Sequence, residues 1–183
     1  MRVVALSGSL RRESNSTGLL RALREEAPQG VEVVLYNGLK QIPPYDQDDD
    51  VAQAPRPVAA FRELVRSADA VVIATPEYNS SIPGALKNAL DWGSRPLATS
   101  AFRSKPVAVI GSSAGAFGGV WAAAELRKVL GAMGARVTDV ELAVGHAGEK
   151  FADGRLVDDD VRQGLRDALE TLLAGAAPVE VAA

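Results

Sequence analysis

Three short stretches of the chain hold the residues best able to do chemistry. The first is "SGSLRRESNST" (7–17), with one Gly, four Ser, one Thr, one Asn and two Arg, and it leads straight into a helical pattern. Hydroxyls and backbone N–H groups at a helix start form an anion site. Arg11 can add a charge-assisted contact to a phosphate. The stretch lacks the Lys of a triphosphate loop and lacks G-x-G-x-x-G, so a single phosphate monoester suits it best. The bland alternative is a Ser-rich cap, with Ser14, Ser16 or Thr17 closing the helix and both arginines in water. The second stretch is "PEYNSSIPG" (76–84). Pro83 fits the first turn of a helix, and Ser80 or Ser81 fits its cap. That assignment leaves Glu77, Tyr78 and Asn79 without a structural duty. The third is "GSSAGAFGG" (111–119), with four glycines in nine residues. Glycine permits positive φ and close backbone approach, so N–H and C=O groups can face a flat polar ring edge. Phe117 can add an apolar contact.

Side chains act together only if the fold brings them together. Five apolar runs have strand character: "RVVAL" (2–6), "VEVVLY" (31–36), "AVVIAT" (70–75), "PVAVIGS" (106–112) and "ARVTDVEL" (135–142). The middle runs are nearly continuous in Val, Ile and Ala, as strands buried on both faces of a parallel sheet must be. Between and after them, apolar residues recur at three and four: Leu19, Leu20, Leu23 and Ala27, then Val58, Phe61, Leu64 and Val65, then Leu86, Ala89 and Leu90. A fourth pattern runs from Val120 to Met133, and a fifth carries Val161, Leu165, Ala168, Leu169, Leu172 and Leu173. This alternation predicts a doubly wound α/β domain over 1–183, a three-layer sandwich around five parallel strands. In the order 2-1-3-4-5 the topological switch lies between strands 1 and 3, and ligands bind outside the carboxyl ends there. The three stretches follow strands 1, 3 and 4, so they meet at one place. Together they fit a phosphate and a planar heteroaromatic ring. That is FMN in outline, and a nucleotide with another base meets the same physics.

Composition narrows the function further. The chain has 183 residues, a net charge of −3, no cysteine and one histidine, His146. No disulfide, thiolate or His-based metal cluster is available, and nothing basic enough for bulk nucleic-acid binding is present. No apolar run approaches a membrane span, so the expectation is a cytoplasmic protein. No G-x-S-x-G elbow marks a hydrolase. Asp48, Asp49 and Asp50 read as solvated, and Asp158, Asp159 and Asp160 as a helix start. The long loop Gln41 to Pro57 is expected to lie over the cleft or an interface through Ile42, Pro43, Pro44 and Tyr45. Trp92 and Trp121 read as core or interface anchors, His146 as polar surface, Arg95-Pro96 as a loop, and "GAAPVEVAA" as a frayed tail.

The combination of "SGSLR", "PEYNSSIPGALKNALDW" and "GSSAGAFGG" resembles the NADPH-dependent FMN reductase family, a flavodoxin-like group of chromate, quinone and azo-dye reductases. The likeness covers about residues 2 to 174, and "FADGRLVDDD" is similar to the family's last loop. It implies FMN as cofactor and NAD(P)H as co-substrate. By position, Ser9, Arg11 and Ser14 match the residues that hold the FMN phosphate. The family commonly has Asn two places after that last Ser; here Ser16 stands there and the Asn is Asn15. Pro76, Glu77, Tyr78 and Asn79 match the segment along the isoalloxazine ring. Ser112, Ser113, Ala114 and Gly115 match the loop on its pyrimidine side. The resemblance also implies a homodimer or homotetramer and a small acceptor: a quinone, free flavin, a metal oxyanion or an azo compound. The rival readings are a non-enzymatic flavodoxin-type carrier, against which Arg11 and the mild charge count, and an α/β module that binds no flavin.

Overall fold

A computed structural model describes residues 1–51 and 53–177. Four parallel strands form its centre: β1 (Arg2–Ser7), β2 (Glu32–Tyr36), β3 (Ala70–Pro76) and β4 (Pro106–Ser112), in the order β2-β1-β3-β4. The fifth position departs from the single strand expected over 135–142. It is filled by β5 (Arg136–Val137) and β6 (Leu142–Val144), both parallel to β4. Val137 pairs with Val107 and Leu142 with Ile110, so three steps along β4 face five along its partner. The surplus is taken up as a bulge, with Thr138 still donating to the Val107 carbonyl at 2.9 Å. The expected strand order is otherwise met.

The helices divide between the two faces of the sheet. Helices α2 (Arg56–Arg66), α3 (Gly84–Gly93) and α4 (Val120–Ala132) cover one face through Val58, Phe61, Leu86, Leu90 and Leu126. Helices α1 (Asn15–Glu25) and α5 (Asp159–Ala176) cover the other through Leu19, Leu23, Leu165 and Leu169. Ala27 lies past the end of α1, and α5 continues through Gly175 and Ala176, where fraying was expected. The rest of that tail, 178–183, lies outside the described residues. Trp92 is fully buried, as a core anchor should be. Among the described residues no helix is long and apolar enough to cross a membrane.

Helix α5 starts on Asp158, whose carboxylate accepts from the Val161 amide at 2.9 Å. Before it, β7 (Phe151–Ala152) and β8 (Arg155–Leu156) form a hairpin turned at Asp153 and Gly154, both at positive φ. Helices α1 and α5 are tied at one end by Glu26, which accepts from Arg162 and Arg166 at 2.8 Å each. The Arg162 hydrogen bond, with that of Arg166 beside it, holds the Glu26 carboxyl below the usual carboxylate range. A carboxyl whose pKa falls on folding stabilises the native state above its unfolded pKa, and the gain is lost as pH falls through the folded value. Thermal melts at several pH values should therefore show Glu26→Gln below wild type at neutral pH, with the gap closing in acid.

The long loop after β2 is pinned to α3. Ile42 is buried in the core. The Pro43 carbonyl accepts from Asn88 Nδ2 at 2.8 Å and from Trp92 Nε1 at 2.9 Å, and Tyr45 donates its amide to Asn88 Oδ1 at 2.7 Å. The Tyr45 ring meets Trp92 edge-on at 4.9 Å. Asp50 is paired and largely buried, against the solvated reading, because Arg62 of α2 reaches it at 2.8 Å. Much of "PGALKNALDW" thus has a structural duty: it straps down its neighbour.

Candidate functional site

β1, β3 and β4 end level with one another, with Ser7 beside Ala74 and Pro76 beside Ser112. The three polar stretches leave the sheet from these ends. In the first, Ser9 Oγ accepts the Arg11 amide at 3.3 Å, and Ser14 caps α1 by accepting the Thr17 amide at 3.2 Å. Thr17 in turn donates to Ser7 Oγ at 2.8 Å. The capping reading of Ser14 is therefore correct, without withdrawing it from the site. The Arg11 side chain is exposed and touches only the Glu13 carbonyl, at 3.2 Å. Ser16 turns inward, where its hydroxyl meets Ser112 Oγ at 2.6 Å.

The second stretch folds back on itself. Tyr78 and Ser81 exchange backbone hydrogen bonds of 3.0 and 3.1 Å, with Asn79 at φ 53° and Ser80 at φ 61° between them. Two central residues at positive φ make this a type I′ turn. Asn tolerates that region well, whereas Ser80 occupies a place that usually takes Gly. Neither serine caps α3: Pro83 stands at that cap, with no side-chain bond to the helix. Glu77 also has the structural duty it was expected to lack. Its Oε2 accepts from the amides of Trp121 and Ala122, both at 3.1 Å. Helix α4 starts after Gly119 at φ 77°, and Gly119 has no side chain with which to cap it. A carboxylate from 44 positions earlier fills that role and meets the positive end of the helix dipole. Glu77→Ala should cost about 0.5–2 kcal/mol, the scale of a lost cap. Urea unfolding measures it, and an unchanged midpoint would refute the role.

The third stretch uses its glycines against its own chain. Gly118 (φ 62°) lies so close to β6 that an added Cβ would stand 2.6 Å from the Ala143 carbonyl carbon. At Gly111 an added Cβ would lie 2.6 Å from the Gly118 oxygen. Positive φ and close approach were expected here, and the partner is backbone of the same molecule. Ser113 is fixed on both sides, donating to the Val144 carbonyl at 3.1 Å and accepting from the Ala147 amide at 2.9 Å.

Between these stretches lies an open cavity of about 220 Å³. Ser9, Arg11, Ser14 and Ser16 line it from the first loop. Pro76, Glu77 and Tyr78 line it from the second, and Ser112, Ser113 and Ala114 from the third. Asn79 and Gly115, expected with them, stand outside the lining, at the turn tip and farther along the third loop. Asn15, the Asn next to the place where the family commonly has one, also lines the wall. Its position beside the Ser14 cap is the signal that marks it. Among the described residues no group of His, Asp or Glu is placed to hold a metal ion.

One guanidinium, hydroxyls around a helix start and two braced loops thus line a single cavity. Residues 1–149 match the family model described as NADPH-dependent FMN reductase. The chain belongs to the NADPH-dependent FMN reductase family. It is 38% identical over 174 residues to an NAD(P)H-dependent FMN reductase of Pseudomonas aeruginosa, covering 94% of this chain and 93% of that one. It is 38% identical over 165 residues to a quinone reductase of Pseudomonas putida, covering 90% and 88%. A solved flavoenzyme, NAD(P)H:(acceptor) oxidoreductase from Paracoccus denitrificans, superimposes with a TM-score of 0.85 at 33% identity over 96% of both chains. As a member of this family the chain is an NAD(P)H-dependent oxidoreductase that uses FMN.

Proposed function

We propose that this cavity holds FMN, and that NAD(P)H and a quinone use it in turn. The observation that carries the reading is the meeting of three separately encoded loops, one with a free guanidinium, around a single slot. Ser9, Arg11 and Ser14 take the phosphate, with Ser16 and Asn15 behind them. The ring would lie between Pro76, Glu77 and Tyr78 on one side and Ser112, Ser113 and Ala114 on the other. FMN held there would supply the redox chemistry between NAD(P)H and the acceptor. The protein's own part is to orient the flavin and nucleotide and to leave one face open. Glu77 serves by holding α4, and so the rim of the slot, in place. The exposed Tyr78 ring offers a planar surface at the mouth.

A co-substrate held inside cells supports a cytoplasmic location in the same reading. The Phe117 and Trp121 rings meet tilted at 5.1 Å on the surface, 68% and 50% exposed, with Val120 beside them. Such a patch at the rim of the slot suits a second copy, as a homodimer or homotetramer.

The purified protein should carry or take up a flavin absorbance band and oxidise NAD(P)H with a quinone in steady state. No flavin uptake would end the reading. Uptake without turnover would make the protein a carrier. Arg11→Ala should weaken FMN binding by about 1–3 kcal/mol, as loss of a charge-assisted hydrogen bond does. Fluorescence titration reads it, and an unchanged affinity removes Arg11 from the phosphate site.

A further inference from the structure

Charge is unevenly placed around the slot. Its lining holds one cation, Arg11, and one carboxylate, Glu77. They stand on different loops. Arg11 belongs to the loop that the proposed reading gives to the phosphate, and Glu77 to a loop that it gives to the ring. Glu77 is half-buried, and it takes part in none of the ion pairs among the described residues. Its two oxygens have different surroundings. Oε2 accepts from the Trp121 and Ala122 amides at the start of α4, each at 3.1 Å, and Oε1 has no partner among the described residues. The two amides fix the carboxylate, so its charge does not swing away into water. The positive end of α4 offsets about half an elementary charge, and no cation offsets the rest.

We propose that Glu77 is a redox-tuning residue: its fixed charge holds down the reduction potential of FMN in the slot and so extends the enzyme's reach to quinones of low potential. The proposal rests on the reading of the cavity as the flavin site. Reduction by NAD(P)H adds two electrons and one proton to the flavin, and NAD(P)⁺ departs. The ring thereby gains one negative charge. A quinone then takes the two electrons with two protons, one from the flavin and one from water. A carboxylate at the wall of the slot disfavours the charge that the ring gains on reduction. The reduced flavin gives up its electrons more readily as a result. A neutral group in place of Glu77 removes the opposing charge and leaves the α4 end uncompensated. Both changes move the potential upward.

Two variants separate the charge from the cap. Glu77→Gln keeps the length and an amide oxygen that can accept from α4, and it has no charge. Glu77→Asp keeps the charge and is too short by one CH₂ for the α4 amides. Flavin potentials are measured by anaerobic titration against a reference dye, and urea unfolding is followed on flavin-free protein. Glu77→Gln should raise the two-electron potential by about 30 mV or more, a tenfold shift in the oxidised-to-reduced equilibrium, with an unfolding midpoint close to wild type. Glu77→Asp should do the reverse, with a lower unfolding midpoint and a potential close to wild type. If Glu77→Gln binds flavin weakly, the ratio of its affinities for oxidised and reduced FMN gives the same shift. In stopped flow, reduced Glu77→Gln should lose rate with low-potential naphthoquinones and keep it with benzoquinones. An unchanged potential in Glu77→Gln, or the same shift in both variants, overturns the proposal and leaves the flavin site standing. A wild type that takes up no flavin overturns the reading of the cavity, and the proposal with it.

Discussion

Arg62→Ala should lower the unfolding free energy by about 3–5 kcal/mol, because it breaks a buried ion pair from one side. The Arg62 side chain is 9% exposed and that of Asp50 is 12%. Its Nη2 donates to Asp50 at 2.8 Å, its Nε donates to the Trp92 carbonyl at 2.8 Å, and the guanidinium carbon lies 5.6 Å from the Trp92 ring centre. Without it a carboxylate and a carbonyl are left in a poorly hydrated place. Replacing both partners by neutral groups, as in Arg62→Met with Asp50→Asn, should cost much less than the single change. Urea unfolding of the two single variants and the double variant gives the coupling directly. If the double variant is as unstable as Arg62→Ala, the stranded carboxylate is not the cause. The same pair closes the long loop onto α2, so the single variant should also expose Asp46 to Pro55 to proteolysis.

Gly118→Ala should be nearly as damaging, and its effect should reach the flavin. A side chain at φ 62° costs about 1–2 kcal/mol in the left-handed region. A Cβ 2.6 Å from the backbone of β6 has no flexible neighbour to push aside, and overpacking of that kind adds about 1–3 kcal/mol. The strain can be relieved only by lifting the third loop from β6, which moves Ser113 and Ala114 at the cavity wall. We expect a loss of about 2–5 kcal/mol in stability together with weaker FMN binding. Gly84→Ala is the control. An added Cβ there meets nothing within 4 Å, and the residue opens α3, so stability should hold or rise slightly. A Gly118→Ala protein that melts and binds flavin like wild type would show that the loop is free to shift.

The fold was legible because burial on both faces writes itself into the strands as unbroken apolar runs. β3 and β4 are buried along nearly their whole length, and the helices between them keep a strict three-four spacing. The place of the candidate cavity followed from topology, since ligands gather where strand order reverses. What stayed hidden depended on pairings between distant residues. Nothing near Glu77 announces that it caps a helix 44 positions later. "DDD" reads as solvated until Arg62 is seen to face its last member. The type I′ turn was masked because its second place holds Ser80 where Gly is the usual sign. The bulge between β5 and β6 escaped because an apolar run records burial and says nothing of register.

Glu77 joins the second loop to the start of α4, Ser16 joins the first loop to Ser112, and Gly118 seats the third loop on β6. The three walls are thus fastened to one another as well as to the sheet. A cup braced in this way keeps its shape without its contents and gives up little conformational freedom on filling. On the proposed reading of the cavity, flavin would then enter and leave such a cup without any loop having to refold.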